Sequence, residues 1–271
     1  MSSVPKLETI EITLFPNGVA EISHNRPKRY NALSPQSYRD WLSAFQWAAK
    51  CEDVKVVVLT GRGKFYCSGQ ELELPDMNME NVEEEMERRR KTTTDVVSAM
   101  IAFPKLLIAA VNGPAIGFGT TTLALCDIVY CVSEATFNTP FMKLAFCAEG
   151  CSSYLFPRIM GQSRANEMLL LGRTFSSSEM VDCGFVSRTL PTETFREQIL
   201  EIAGDAAKLS TDALKVTKDL IRNIDRELLE KINQEEMRML GERMGSSDSL
   251  ESIMRFVEEA AKRKAAKKAK L

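Results

Sequence analysis

Residues 106–119 constrain the fold more than any other stretch, and they read Leu-Leu-Ile-Ala-Ala-Val-Asn-Gly-Pro-Ala-Ile-Gly-Phe-Gly. The first six are all apolar, which is the pattern of a strand buried on both faces. Asn112-Gly113-Pro114 ends that strand, and an apolar, helix-compatible run follows at 120–126. A glycine-rich turn between a strand and a helix leaves backbone N–H groups without partners, and negative charge is stabilised there. The sequence therefore predicts a turn around Phe118 that can hold an anion.

A second turn of the same kind lies at 67–72, Cys-Ser-Gly-Gln-Glu-Leu, after a predicted short strand at 65–67. If the strands before the two turns are neighbours, the N–H groups of Gln70 and Phe118 can converge on one oxygen atom. Two converging backbone donors form an oxyanion hole, in which each donor stabilises a transition state by a few kcal/mol. Either turn alone is weak evidence, and the pair is what predicts this function.

The composition excludes several classes of mechanism. His24 is the only histidine, so a histidine-rich metal site cannot form, and we expect a structural or exposed role for it.

The seven cysteines include no CxxC pair, which favours a reducing compartment without disulfides. The formal net charge of −2 gives no bias toward nucleic acid. We see neither a charged-then-apolar leader nor an apolar run of about 18 residues, so we expect no membrane span.

Strand and helix patterns alternate up to about residue 190, and helical patterns follow. We predict amphipathic helices at 193–207, 211–224, 226–243 and 248–268. This order predicts an α/β core followed by a C-terminal helical region. No linker separates the two, so the helical region is expected to be an appendage of one chain fold.

The order and surroundings of the two glycine turns resemble the crotonase (enoyl-CoA hydratase/isomerase) superfamily. The resemblance covers roughly residues 8–260. The matching motifs are Asn25-Arg26-Pro27 with Asn31-Ala32-Leu33, the two turns themselves, Cys126-Asp127-Ile128-Val129-Tyr130, and Thr136-Phe137 with Pro140.

This resemblance implies a fold, an assembly and a substrate class. The fold is a crotonase-type ββα spiral core at 1–195, followed at 196–271 by helices for trimerisation and for covering the active site. The substrate is an acyl-CoA thioester whose carbonyl oxygen lies between the N–H groups of Gln70 and Phe118. No metal or redox cofactor is implied, because CoA is part of the substrate. The implied substrate- and CoA-binding residues are Lys28, Arg29, Ala32, Ser68, Gly69, Gln70, Glu71, Leu72 and Gly117.

Both carboxylates of the family's hydratases are missing from this chain. One hydratase glutamate lies six residues before the Asp of the Cys-Asp pair, where this chain has Thr121. The other directly follows the proline after the Thr136-Phe137 strand, where this chain has Phe141. Addition of water by the usual two-acid arrangement is therefore not expected.

Glu149 is the only acidic residue between Glu134 and Glu167, and its neighbours are small or apolar. Desolvation of such a carboxylate raises its pKa toward values that suit proton transfer. The segment 149–154, Glu-Gly-Cys-Ser-Ser-Tyr, is similar to the catalytic segment of the peroxisomal Δ3,Δ2-enoyl-CoA isomerases, where the Glu is the base. The resemblance therefore implies that Glu149 moves a proton from C2 to C4 of a 3-enoyl-CoA and yields the trans-2-enoyl-CoA in unsaturated fatty acid β-oxidation.

Three alternatives stay open at this point. They are thioester hydrolysis in the same fold, a non-catalytic acyl-CoA-binding protein, and dienoyl-CoA isomerisation, for which the additional acids cannot be placed. The last three residues, Ala269-Lys270-Leu271, are similar to the Ser-Lys-Leu peroxisomal address and follow a basic stretch. We therefore expect a protein of the peroxisomal matrix that binds the import receptor, and additional mitochondrial targeting stays open.

Overall fold

A computed structural model describes residues 3–72 and 82–268 of the chain. Within those residues the structure is built from strands, α-helices and four short 3-10 turns. The strands are β1 (Ile10–Leu14), β2 (Val19–His24), β3 (Val56–Gly61), β4 (Leu106–Val111), β5 (Ala115–Ile116), β6 (Ile128–Val132), β7 (Thr136–Asn138), β8 (Phe175–Ser176) and β9 (Arg188–Leu190). The helices are α1 (Pro35–Lys50), α2 (Val82–Ile101), α3 (Phe118–Thr121), α4 (Ser152–Met160), α5 (Gln162–Leu171), α6 (Ser177–Asp182), α7 (Phe195–Ala206), α8 (Thr211–Met244) and α9 (Ser247–Lys268). The 3-10 turns are Pro27–Arg29, Thr122–Leu125, Phe141–Leu144 and Thr192–Thr194.

The main sheet has six strands in the order β1-β2-β3-β4-β6-β9. The β1–β2 pair is antiparallel, and its tight turn contains Gly18 in the left-handed region, with φ of 88°. All other pairs in this sheet are parallel. Strands β2 and β3 are buried over their whole length, as expected for parallel strands that are covered on both faces.

A smaller sheet, β5-β7-β8, contains two short strands that follow strands of the main sheet, β5 and β7, together with β8. β4 continues into β5, and β6 continues into β7. Single parallel bridges extend this layer, since Cys67 pairs with Ala115 and Leu33 pairs with Gln70. The chain therefore repeats one unit, a main-sheet strand followed by a short second-layer segment and, in several repeats, a helix. The ends of the second-layer segments lie side by side.

The chain after β9 is helical in the described residues. Helix α7 packs against β2, β3 and β4, whereas α8 packs against α2 and α4. The domain boundary predicted after residue 195 falls at the start of α7 and stays a prediction. Within the described residues, no helix combines the length and the apolar composition needed to cross a membrane.

Two local predictions were wrong. Residues 211–224 and 226–243 form the single helix α8, because nothing between them breaks a helix and Asp225 accepts a hydrogen bond from the Tyr154 hydroxyl at 3.0 Å. The short strand predicted at 65–67 is only the one bridge at Cys67, because the carbonyl groups of Phe65 and Tyr66 accept hydrogen bonds from the Asn31 side chain instead.

Candidate active site

The two glycine turns lie against each other. A Cβ atom at Gly69, where φ is 83°, would stand 2.8 Å from the carbonyl oxygen of Ile116. The Ile116 N–H donates to the Cys67 carbonyl at 2.9 Å, and the Gly117 N–H donates to the Asn138 carbonyl at 2.8 Å. The close approach of the two backbones therefore requires glycine at position 69. The turns are therefore neighbours, which is the condition under which the N–H groups of Gln70 and Phe118 can converge.

The backbone geometry leaves the N–H groups of Gln70 and Phe118 available to a ligand. In the bridge to Leu33, the Leu33 N–H donates to the Gly69 carbonyl at 2.9 Å, and the Glu71 N–H donates to the Leu33 carbonyl at 3.0 Å. These bonds use the groups on either side of Gln70. Phe118 is the first residue of α3, where N–H groups have no partner within the helix. Across residues 3–72 and 82–268, neither N–H group donates to a protein acceptor.

Phe118 is held by packing as well as by backbone bonds. Its ring is fully buried and contacts the rings of Tyr38 and Trp41 at centroid distances of 5.2 and 5.7 Å. The Gly117 carbonyl, which is in the same peptide group as the Phe118 N–H, accepts from the N–H groups of Thr120 at 2.8 Å and Thr121 at 3.0 Å. The peptide that carries the Phe118 N–H therefore has a fixed orientation, as pre-organised donors of an oxyanion hole need.

Glu149 lies beside these turns and is buried, with 5% of its surface exposed. The next residue, Gly150, has a φ of 67°, and a Cβ atom there would stand 2.7 Å from the Thr121 hydroxyl oxygen. Burial is the main cause that raises the pKa values of Tyr38 and Cys67, and the charge of Glu149 raises both further. Both side chains are therefore close to Glu149. Glu149 therefore lies next to the position at which the hydratases have a carboxylate, and close to both turns.

The pKa of Glu149 is raised from 4.5 to about 8. Burial is the main cause, and the nearby carboxylate of Glu236 is the second. Within the described part of the chain, no hydrogen-bond donor reaches the Glu149 carboxylate. A carboxylate of this kind exchanges its proton near neutral pH, which suits a base that must also return the proton.

The two positions that hold glutamates in the hydratases carry no carboxylate in this chain. Thr121 is fully buried, and its hydroxyl donates to the Phe118 carbonyl at 3.3 Å. Phe141 is buried in the 3-10 turn Phe141–Leu144.

Glu236 is a second buried carboxylate at the site, and our sequence analysis missed it. It lies on α8, 7% exposed, and both of its oxygens accept hydrogen bonds from the first turn of α4. The signal was present, since the buried positions of α8 are 229, 233, 236, 237 and 240, which are spaced along one helix face. A glutamate on that face indicates a specific partner.

Arg29 and Glu71, two of the residues predicted to bind CoA, form a charged cluster with Arg26 next to the first turn. The Arg26 guanidinium donates to the Ala32 carbonyl at 2.5 Å and to Glu71 at 2.9 Å. Arg29 also pairs with Glu71, and Lys28 is exposed on the same 3-10 turn. Ser68 is fixed by its N–H, which donates to the Tyr30 carbonyl at 3.1 Å, and Leu72 packs against the core. The roles predicted for these residues, and for Gly117, stay predictions.

A cleft opens at Gln70. Tyr38 and Leu33 line one side, and Arg89 and Thr93 of α2 line the other. Within the described residues, no group of three or more metal-ligating side chains is close enough together to hold a metal ion.

Comparisons with known proteins agree with this architecture. The family model for enoyl-CoA hydratase/isomerase matches residues 15–266. The chain is 38% identical over 256 residues to enoyl-CoA delta isomerase 2 of Homo sapiens, covering 94% of this chain and 64% of that protein. It is 36% identical over 248 residues to the peroxisomal enoyl-CoA delta isomerase 3 of Mus musculus, covering 92% and 78%.

A solved structure of an enoyl-CoA hydratase/isomerase from Pseudoalteromonas atlantica T6c matches with a TM-score of 0.82 at 29% identity, covering 93% of this chain and 98% of that one. This likeness confirms the predicted crotonase-type α/β fold with a C-terminal helical region. The chain thus spans less than two thirds of the human relative and nearly the whole of the bacterial one. The chain belongs to the enoyl-CoA hydratase/isomerase family.

Proposed function

We propose that the protein is a Δ3,Δ2-enoyl-CoA isomerase that moves the double bond of a 3-enoyl-CoA to give the trans-2-enoyl-CoA in unsaturated fatty acid β-oxidation. One observation carries the proposal. A single carboxylate without hydrogen-bond donors among the described residues, Glu149, lies beside the paired turns, while Thr121 and Phe141 fill the positions of the hydratase acids. The relatives named enoyl-CoA delta isomerase support the same conclusion.

The reaction needs one base and no additional reactant. The carboxylate of Glu149 removes a proton from C2 of the 3-enoyl-CoA, and the electron pair moves onto the thioester oxygen to form a dienolate. The N–H groups of Gln70 and Phe118 stabilise that oxygen by hydrogen bonding. The carboxylic acid of Glu149 then returns the proton to C4, which leaves a C2=C3 double bond and an intact thioester. No metal or redox cofactor takes part in this proposal.

The pKa of Glu149 sets the expected pH dependence. The free enzyme needs the ionised base, and burial raises the pKa of that group to about 8. The value of kcat/KM is therefore expected to rise with pH and to level off above about pH 8.

The test is conversion of a series of 3-enoyl-CoA substrates, followed by the absorbance of the conjugated product, with wild-type protein and Glu149→Gln. The wild type is expected to turn over and Glu149→Gln to lose at least about 1,000-fold in kcat while staying folded. Glu235→Gln is the control, because Glu235 is an exposed glutamate on α8 that pairs with Arg238. Unchanged turnover in Glu149→Gln would contradict the assigned base.

The same assay decides between the proposal and the alternatives. Release of free CoA without movement of the double bond would identify a thioester hydrolase. Binding of acyl-CoA without any turnover would identify a non-catalytic acyl-CoA-binding protein. Substitution of Lys28 and Arg29 by Ala, measured as an increase in KM at unchanged kcat, tests their proposed contact with CoA phosphates.

We further propose that the protein assembles as a homotrimer. The first half of α8 exposes large apolar side chains, of which Leu220, Ile221 and Ile224 are 71%, 68% and 85% exposed. Such a row of exposed apolar residues is typical of an interface between subunits. Light scattering is expected to give three times the chain mass, and Ile224→Glu is expected to give the monomer.

Peroxisomal location is part of the same proposal, supported by the mouse relative that is named as peroxisomal. The predicted address at 269–271 lies outside the described residues. Imaging of the protein with and without those three residues tests both the location and binding to the import receptor.

A further inference from the structure

The segment that carries Glu149 is held by the C-terminal helices. Contacts from α8 and α9 reach it along its whole length, from Leu144 to Tyr154. Two of these contacts are donated by the helices, from the Ser249 hydroxyl to the Leu144 carbonyl at 3.2 Å and from Arg243 Nε to the Ala145 carbonyl at 3.0 Å. Two are donated by the segment, from Cys151 Sγ to the Leu229 carbonyl at 3.4 Å and from the Tyr154 hydroxyl to Asp225 at 3.0 Å. The position of the segment therefore depends on a helix distant in sequence.

Glu236 of α8 makes three further contacts with this segment, and its group is a carboxylate. One carboxylate oxygen accepts from the Cys151 N–H at 2.7 Å. The other accepts from the Ser153 N–H at 2.9 Å and from the Ser153 hydroxyl. A buried carboxylate with three donors is well satisfied, and hydrogen bonds to a charged group are the stronger kind.

These contacts replace a cap that α4 lacks. Its N-cap residue is Cys151, in the left-handed region with φ of 61°, and no side chain of the segment caps the helix. A carboxylate at a helix N-terminus is favourable because it faces the positive end of the helix dipole. The Ser152 hydroxyl donates to the Glu149 carbonyl at 2.7 Å, so the capped turn is tied directly to the proposed base.

Glu236 also places a charge next to Glu149. Burial is the main cause that raises the pKa of Glu236, while its hydrogen bonds from Ser153 and Cys151 oppose that rise. Glu149 has no such donors among the described residues and is affected by Glu236. In a coupled pair of this kind the negative charge stays on the hydrogen-bonded member and the shared proton on the other. The other titratable groups that face Glu149 are Tyr38 from α1, Cys67 from the first turn and Cys147 from its own loop.

We propose that Glu236 is a positioning residue for proton transfer. It fastens the first turn of α4, and thereby Glu149, in place, and its negative charge makes Glu149 the stronger base of the pair, which takes up the substrate proton and returns it. This inference rests on the proposed isomerase function for its kinetic consequences, whereas the effect of Glu236 on the Glu149 proton does not depend on catalysis.

The experiment compares Glu236→Gln, Ser153→Ala and the exposed control Glu235→Gln. Glu236→Gln is expected to lower kcat at high pH by at least about tenfold with little change in KM, because the base is misplaced. The inflection of kcat/KM is expected to move to lower pH, because a neighbouring negative charge is gone. Ser153→Ala removes one donor but keeps the charge, so a smaller loss of kcat, about threefold, with an unmoved inflection is expected. Glu235→Gln should match the wild type.

Carboxyl carbon NMR of glutamate-labelled protein gives a readout that needs no turnover. The Glu149 signal, assigned by its loss in Glu149→Gln, should titrate at lower pH in Glu236→Gln than in the wild type. An unmoved Glu149 titration, or an unchanged kcat in Glu236→Gln, would overturn the inference. If Glu236→Gln does not fold, an unchanged kcat in Ser153→Ala overturns it instead. An inactive wild type would refute the isomerase function, and the NMR titration would still decide the effect of Glu236.

Discussion

The paired glycine turns and the segment that carries Glu149 lie side by side but are held in different ways. The turns are fixed by backbone hydrogen bonds within the two sheets, such as the Ile116 N–H to the Cys67 carbonyl at 2.9 Å. The Glu149 segment is fixed mainly by side chains of α8, among which Glu236 contributes both carboxylate oxygens. One half of the site belongs to the core and the other half to the C-terminal region.

This difference matches what each half is proposed to do. The turns supply neutral donors whose value lies in a fixed position, and adjacent strands provide that at little cost. Glu149 is a buried ionisable group, so its charged form is unfavourable in the folded state. Because a separate helix holds Glu149, the groups that set its pKa are distinct from the backbone bonds that fix the turns.

Among changes that leave Glu149 in place, the largest effect is expected from a methyl group in the first turn. Gly69→Ala adds a Cβ atom 2.8 Å from the Ile116 carbonyl at a φ of 83°, so the two turns must separate. We expect kcat to fall by at least about 100-fold, the usual cost of losing one oxyanion donor. The change is measured by the isomerase assay on protein checked for folding by circular dichroism.

The matched control for this prediction is Gly161→Ala. Gly161 has a similar φ of 79°, but a Cβ atom there would have no atom within 4 Å. With a ψ of 153° its backbone lies in a region that glycine alone adopts easily, so the variant should lose roughly 1–3 kcal/mol of stability and keep full activity. Equal loss of activity in both variants would mean that the approach of the turns is unimportant.

The second prediction concerns the stability that the folded protein loses by burying the ionised form of Glu149. The pKa of Glu149 is about 8 in the folded state and 4.5 when exposed, so between these values the folded state keeps a proton that the unfolded chain releases. The contribution of Glu149 to stability is therefore fully present below pH 4.5 and is lost as the pH rises toward 8. Glu149→Gln should raise the free energy of unfolding at pH 7 by on the order of 3 kcal/mol. Denaturant titration at pH 7 and pH 4 checks this, and a gain that persists at pH 4 would contradict the explanation.

The third prediction concerns His24, which should make the protein less stable as the pH falls, whereas Glu149 makes it less stable as the pH rises. His24 is buried on β2 against Trp41, with ring centroids 4.6 Å apart, and Trp41 in turn contacts Phe118. Burial lowers the pKa of His24 from 6.5 to about 4, so the unfolded chain binds the proton first as the pH falls. This contribution to stability is present above pH 6.5 and is lost toward pH 4, with about 2 kcal/mol gone at pH 5.

The His24 prediction is checked by comparing the wild type with His24→Phe from pH 7 to pH 5. The variant cannot bind the proton, so its stability should fall less over this range. Parallel curves for the two proteins would show that His24 does not titrate in the folded state as proposed.

The two regions also differ in how far the sequence predicts them. The turns, their neighbouring strands and the expectation of a buried Glu149 follow from local patterns, namely apolar runs, glycines and an isolated acid. Glu236 lies 85 residues from the Cys151 N–H that it accepts, and no local pattern links them. A comparable separation in sequence applies to the wrong division of α8, since Asp225 and its partner Tyr154 lie 71 residues apart. His24 is structural and not exposed, because its strand is covered on both faces.

The smallest effect is expected at Ala145, which begins the loop leading to Glu149. Its φ of 53° lies in the left-handed region, which glycine adopts without strain. Ala145→Gly should therefore stabilise the protein by about 0.5 kcal/mol, whereas Ala148→Gly, at a position without a positive φ, should destabilise it by a similar amount. Because Arg243 holds the Ala145 carbonyl from α8 at 3.0 Å, the added backbone freedom should leave kcat unchanged. A clear loss of kcat in Ala145→Gly would mean that the loop's own backbone, and not α8, keeps Glu149 in place. Thermal unfolding and the isomerase assay together distinguish the two cases.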